Sequence, residues 1–226
     1  MKRNTLVLLL VLFCGSGIAM AADLNVGFLA LDHVYNSELM APFDVFHHTK
    51  FHNDKGQMHV FIVSIDGKQV TTFEGIKIQP DHSLNSAPKI DVLVIPSAEH
   101  NMTTDLKNDA LREWVRNTAQ AAQYVVTLCD GAFILANTGL LDGKSATTFP
   151  TDVAAFRKQF PKVKTLEGYS FVRDGKFLTS QGGAKSYDVA LYLTDKLYGQ
   201  TNTVEIAKGL VLPWPNPAVK FYPSSK

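Results

Sequence analysis

Short apolar runs alternate with stretches of helical periodicity along most of this chain. The runs at residues 24–31, 58–65, 90–95 and 124–128 predict buried strands, and residues 37–48, 106–118 and 132–138 repeat apolar positions at helical spacing. β-Branched runs bounded by helices predict βαβ units and an α/β fold with a mostly parallel sheet. Two hairpins are expected: residues 70–73 with 76–78 around Glu74-Gly75, and residues 171–174 with 176–179 around Gly175. Residues 187–197 are amphipathic and predict a late covering helix. No repeat or linker divides residues 22–200, which therefore read as one domain. Residues 201–226 read as a C-terminal helix and a proline-rich tail. From Pro213, the prolines Pro213, Pro215, Pro217 and Pro223 demand extended chain, expected to pack on its own body rather than on a second subunit.

The first 21 residues change the picture. Lys2 and Arg3, the apolar residues 6–13 and Ala19-Met20-Ala21 have the layout of a secretory signal peptide. The apolar run is too short for a membrane span of about 20 residues, and bulky Phe13 disfavours a lipid anchor at Cys14. An exported chain, periplasmic or secreted and without a stable membrane anchor, is expected. Cleavage would remove Cys14 and leave Cys129 as the remaining thiol, unable to pair within the chain. With 22 basic and 21 acidic residues, no net field draws in nucleic acid or anionic lipid. The expected partner is a small molecule, with a homodimer as a further option.

The chemistry concentrates at Cys129. An apolar strand, residues 124–128, runs straight into an apolar helix there, which is the layout of a nucleophile elbow with cysteine in place of serine. A helix N-terminus beneath the side chain favours thiolate and lowers a cysteine pKa from ~8.5 towards ~3.5–7.5. Gly131 allows a close backbone approach. The alternative is an inert buried cysteine at a strand end. In an open α/β sheet, ligands bind at the carboxyl ends of strands. Three loops leave strands in that direction, carrying Asp32-His33-Val34-Tyr35, Ser97-Ala98-Glu99-His100 and Cys129-Asp130-Gly131. His47, His48 and His52 invite a metal reading, but no cysteine or carboxylate cluster completes a site and cationic histidines suit a helix C-terminus. No metal or other cofactor is expected.

Residues 129–148, Cys129-Asp-Gly-Ala-Phe-Ile-Leu-Ala-Asn-Thr-Gly-Leu-Leu-Asp-Gly-Lys-Ser-Ala-Thr-Thr148, resemble the cysteine elbow of the ThiJ/PfpI superfamily. The likeness is to its isonitrile-hydratase-like and regulator-associated members. Glu38-Leu-Met-Ala-Pro-Phe-Asp-Val-Phe46 is similar to the first-helix motif of that superfamily. Residues 171–176, residues 179–184 and Asp188 resemble its closing hairpin and last helix. The resemblance implies a glutamine-amidotransferase-like, flavodoxin-like three-layer sandwich. It also implies a Glu38 carboxyl directed at the Cys129 thiol, able to donate a hydrogen bond to the thiolate.

Three departures matter. Relatives with protease-like sites place histidine where Asp130 stands, and regulator-like relatives often have it where Phe149 stands. No histidine follows His100, so peptidase activity is not expected. The loop that is glycine-rich in relatives reads Pro96-Ser97-Ala98, leaving the backbone near Ala98, Asp130 and Gly131 as the expected anion stabiliser. His33 and His100 are the available auxiliary bases, and a carboxylate at Asp130 would oppose thiolate formation. The resulting expectation is a cysteine-dependent hydratase or hydrolase of a small electrophile: an isonitrile, amide or reactive carbonyl. The alternative is a non-catalytic small-molecule or redox-sensing module, without the helix-turn-helix pair of regulators because few residues follow Gly199.

Overall fold

The computed structural model describes residues 23–52 and 56–223. The signal-peptide reading and Cys14 lie outside the described residues. The chain enters through β1 (Leu24–Leu29), α1 (Asn36–His47) and β2 (Met58–Ser64). A small hairpin follows, β3 (Val70–Thr71) and β4 (Lys77–Ile78), paired antiparallel with Val70 opposite Ile78. Next come β5 (His82–Ser83), β6 (Val92–Ile95), α2 (Asp109–Ala121), β7 (Tyr124–Leu128) and α3 (Gly131–Ala136). The excursion β8 (Ser145–Ala146), α4 (Val153–Gln159) and β9 (Lys164–Thr165) leads to the second hairpin, β10 (Phe171–Asp174) and β11 (Phe177–Ser180). The chain closes with α5 (Lys185–Tyr198), α6 (Gln200–Gly209) and β12 (Phe221–Tyr222).

Eight strands form one sheet in the order β12-β10-β11-β7-β6-β1-β2-β5, in which only the β10–β11 pair is antiparallel. The fold is the expected α/β architecture. All four residues of β6 and four of the five in β7 are buried. Helices on both faces demand such continuous apolar runs, which is why these strands read so plainly in the sequence. Helix α5 packs on both α1 and α6, and α2 packs on α3. Helix α2 begins where the Asn108 side chain accepts the Leu111 N–H at 3.0 Å, and it buries Leu111, Val115 and Ala119 along one stripe. Phe28, Phe46, Phe133, Phe156 and Phe171 are fully buried in the core.

The proline-rich tail is non-helical, with a turn at 217–218, and packs on the body. Phe221 stacks on Phe171 with ring centres 5.0 Å apart, β12 pairs parallel with β10, and Trp214 Nε1 donates to Asp195 at 2.8 Å. Three features escaped the sequence pattern. Strands β5, β8 and β9 are two residues long, too short to show a period. Helix α4 buries only Val153 and Phe156. Helix α2 starts later than expected because residues 105–107 form a separate 3-10 turn.

Candidate active site

The strand order reverses around β1, and the loops after β1 and β6 meet there through a bridge between Val34 and Ala98. Tyr35 N–H donates to Ser97 C=O at 3.0 Å and Phe73 N–H to Val34 C=O at 3.0 Å, so the β3–β4 hairpin joins the same rim. At the adjacent end of β7 stands Cys129, with φ of 53°. A non-glycine residue in this region is uncommon, and the surroundings hold it there. Its N–H donates to Ser180 C=O at 3.0 Å, and its own C=O faces the Thr148 hydroxyl at 3.0 Å. Gly131 begins α3 so close to β6 that a Cβ there would stand 2.1 Å from the Ile95 carbonyl oxygen. The nucleophile elbow is therefore present in its geometry.

Glu38 reaches the same place from the first turn of α1 and is only 5% exposed. Pro42, four residues on, lacks the N–H that would otherwise bond the Glu38 carbonyl, which loosens the helix at this point. The carboxyl is fixed from two sides. Gly183 N–H donates to Oε1 at 2.7 Å and the Ser37 hydroxyl to Oε2 at 2.8 Å. A cavity of about 260 Å³ opens between Glu38 and Cys129, and Tyr35, Asp130, Phe149 and Asp152 complete its wall.

The electrostatics overturn one expectation. Burial pushes the Cys129 thiol well above its ordinary range, and the Asp130 and Glu38 carboxylates push it further. The Ser97 hydroxyl and the Asp130 N–H act in the opposite direction and do not prevail. Helix α3 is six residues long and offers only a weak dipole against the burial of the thiol and the carboxylates around it. Asp130 is itself raised to about 6, first by burial and then by the Asp152 carboxylate, with the Thr148 hydroxyl opposing. Tyr35 is raised by burial and by the neighbouring acids Cys129, Glu99, Asp130 and Glu38, so its hydroxyl keeps its proton at the rim. Iodoacetamide labelling is accordingly expected to stay slow through neutral pH and to accelerate only above the range of free cysteine. Asp130→Asn should shift that profile to lower pH by removing a neighbouring negative charge. Fast labelling of the native chain at pH 6 would refute this account of the thiol.

Two other expectations are corrected. The Ala98 N–H is not available to a substrate anion, because it already donates to Asn101 Oδ1 at 2.9 Å. Ser97 is the better donor on this loop: its hydroxyl is fully buried, acts on the thiol, and has no hydrogen-bond partner of regular geometry. At the start of α3, the Asp130 N–H bonds the thiol sulfur. His33 and His100 do not line the cavity. His33 Nδ1 lies 2.8 Å from Glu99 Oε2, His100 Nε2 lies 3.9 Å from the same oxygen, and both side chains face solvent. Among the described residues, no group of three or more metal-ligating side chains is assembled.

Sequence reasoning missed Asp152 and the part played by Gly182 and Gly183. Asp152 ends the 3-10 turn at Pro150–Asp152, and nothing local marks it as facing a cysteine 23 positions away. Gly182 presses on Cys129 itself, where an added Cβ would lie 2.4 Å from the cysteine Cβ. The doublet was visible in the resemblance to the closing hairpin, but its contact with the thiol was not.

A sequence profile of the DJ-1/PfpI family matches residues 25–196. The isonitrile hydratase of Pseudomonas putida is 28% identical over 177 residues, covering 78% of this chain and 73% of that enzyme. The HTH-type transcriptional regulator CdhR of Pseudomonas aeruginosa is 29% identical over 163 residues, covering 72% of this chain but only 47% of the regulator. In three dimensions, the crystal structure of Drosophila melanogaster DJ-1beta superposes with a TM-score of 0.72 at 22% identity. That alignment covers 85% of this chain and all of the fly protein.

Proposed function

The chain belongs to the DJ-1/PfpI family, and from that footing we propose that it is a cysteine-dependent hydratase of a small electrophile, with isonitriles as the leading class and amides or reactive carbonyls behind them. The observation that carries the reading is the cavity that both Cys129 and Glu38 line and that no histidine lines. The likeness to an isonitrile hydratase over 78% of the chain supports the substrate class. Its N-terminal charged, apolar and small-residue pattern supports export, to the periplasm or outside the cell.

A thiol that holds its proton suits this chemistry. In the first half-reaction, S–H adds across the terminal carbon of the isonitrile R–NC. Sulfur bonds that carbon, and the thiol proton reaches the same carbon by way of Glu38, leaving the thioimidate R–N=CH–S on Cys129. In the second, water adds its hydroxyl to the carbon and its proton to nitrogen. The C–S bond then breaks, the hydroxyl proton returns to sulfur, and the N-substituted formamide leaves. Ser97 and Tyr35 stand as uncharged donors along the route. A sensing module is the second reading, favoured by the raised thiol and by the regulator among the relatives.

The test is incubation with an n-butyl isonitrile probe, a primary amide and a dicarbonyl, with product assay and intact-mass measurement of Cys129. Isonitrile turnover with a transient adduct is expected, and Glu38→Gln should slow it far more than Glu99→Gln. No turnover of any of the three, with a ligand that still shields Cys129 from alkylation, would put the sensing module in its place.

A further inference from the structure

The hydratase reading needs a group to activate the water of its second half-reaction, and no histidine, lysine or arginine lines the cavity. We infer that Asp130 and Asp152 form a carboxyl pair, and that this pair is the general base that delivers water to the thioimidate carbon on Cys129. The inference rests on the hydratase reading and concerns only its second step.

Position comes first. Both carboxyls line the cavity beside Cys129, where the Asp152 carboxylate favours a proton on Asp130. The pair is also braced. The Thr148 hydroxyl lies 2.9 Å from Asp130 Oδ1 and 3.0 Å from the Cys129 carbonyl oxygen. A third feature marks the space as a ligand's. The Ser97 hydroxyl is fully buried, acts on the thiol and has no hydrogen-bond partner of regular geometry, so it can turn to a molecule bound at Cys129.

The proton account closes. The ionised pair takes a proton from water as the hydroxyl bonds carbon, and passes that proton to the imine nitrogen. The pair therefore returns to its starting state when the tetrahedral adduct has formed. The groups facing Asp130 are Asp152, Glu38, Cys129 and Tyr35, all acids. With Asp130 raised to about 6 beside the Asp152 carboxylate, the pair loses its last proton to solvent, and so gains its basic form, near the lower edge of neutrality.

The experiment uses the native chain and the Asp130→Asn and Asp152→Asn variants with n-butyl isonitrile. Steady-state rates are read across pH, together with the mass of Cys129 during turnover. Both variants should still form the adduct, which also shows that they are folded. They should accumulate it, with turnover reduced roughly 10²–10⁴-fold. In the native chain kcat should fall on the acid side with a midpoint near 6, and Asp130→Asn should erase that limb. Unchanged turnover in both variants, or loss of adduct formation in place of its accumulation, overturns the inference while the hydratase reading stands. Absence of both turnover and adduct in the native chain overturns that reading, and this inference with it.

Discussion

Cys129→Ser is expected to lower kcat/KM for an isonitrile by about 10⁴-fold or more, the scale seen when a covalent nucleophile is removed. The serine hydroxyl would sit on the same elbow, held by the same N–H bond to Ser180 and the same Thr148 contact at the carbonyl. What changes is the reacting atom. An alcohol is a far poorer nucleophile than a thiol, and nothing in this cavity compensates, because no histidine stands ready to take its proton. Stability should fall by roughly 1–3 kcal/mol, since the substitution keeps the volume but buries a hydroxyl. The check is a rate measurement paired with a thermal melt. A serine variant retaining more than a tenth of the native activity would rule out attack by Cys129.

The second large effect is on the scaffold. Gly182→Ala is expected to lower the melting temperature by roughly 5–15 °C and to remove activity. Two costs combine. At φ of 80° an L-residue loses about 1–2 kcal/mol of backbone freedom from strain, and the new methyl would meet the Cys129 Cβ, N and Cα at 2.4, 2.8 and 2.9 Å. Two of those three atoms are backbone and cannot rotate aside, so overpacking adds about 1–3 kcal/mol. Relief requires β7 or the 180–183 loop to shift, and either movement disturbs the Gly183 N–H that holds Glu38. Scanning calorimetry with an activity assay reads both effects. A change under 2 °C with activity retained would show that the Gly182–Cys129 contact is not tight in solution.

These two residues also show how unevenly the site could be read. Cys129 announces itself, because a strand that turns directly into a buried helix is a local event written in consecutive residues. Gly182 lies beside it only because β11 pairs with β7, which no window of sequence contains. Glu38 was reached through the likeness of its helix motif. Its bond to Gly183, however, spans 145 positions and depends on the packing of α1 against α5.

The thiol shows the other kind of limit. Its neighbours in sequence, Asp130 and the start of α3, were known in advance, and they gave opposing pressures of unknown weight. Burial decided between them, and burial is a property of the assembled cavity. The same holds for Ala98, whose N–H looked free until the loop folded back and Asn101 took it.

The amino-acid sequence by itself determined the α/β class, the main strands and helices, both hairpins and the position of the cysteine elbow. Each of these follows from apolar periodicity or turn chemistry acting over a few residues. Only the tertiary structure decided which carboxyls face the thiol, that Asp152 joins Asp130, and that Ser97 rather than Ala98 is the open donor. Those relations join loops distant in the chain, and their energies depend on desolvation and distance, quantities that exist only once the sheet has brought the loops to one edge.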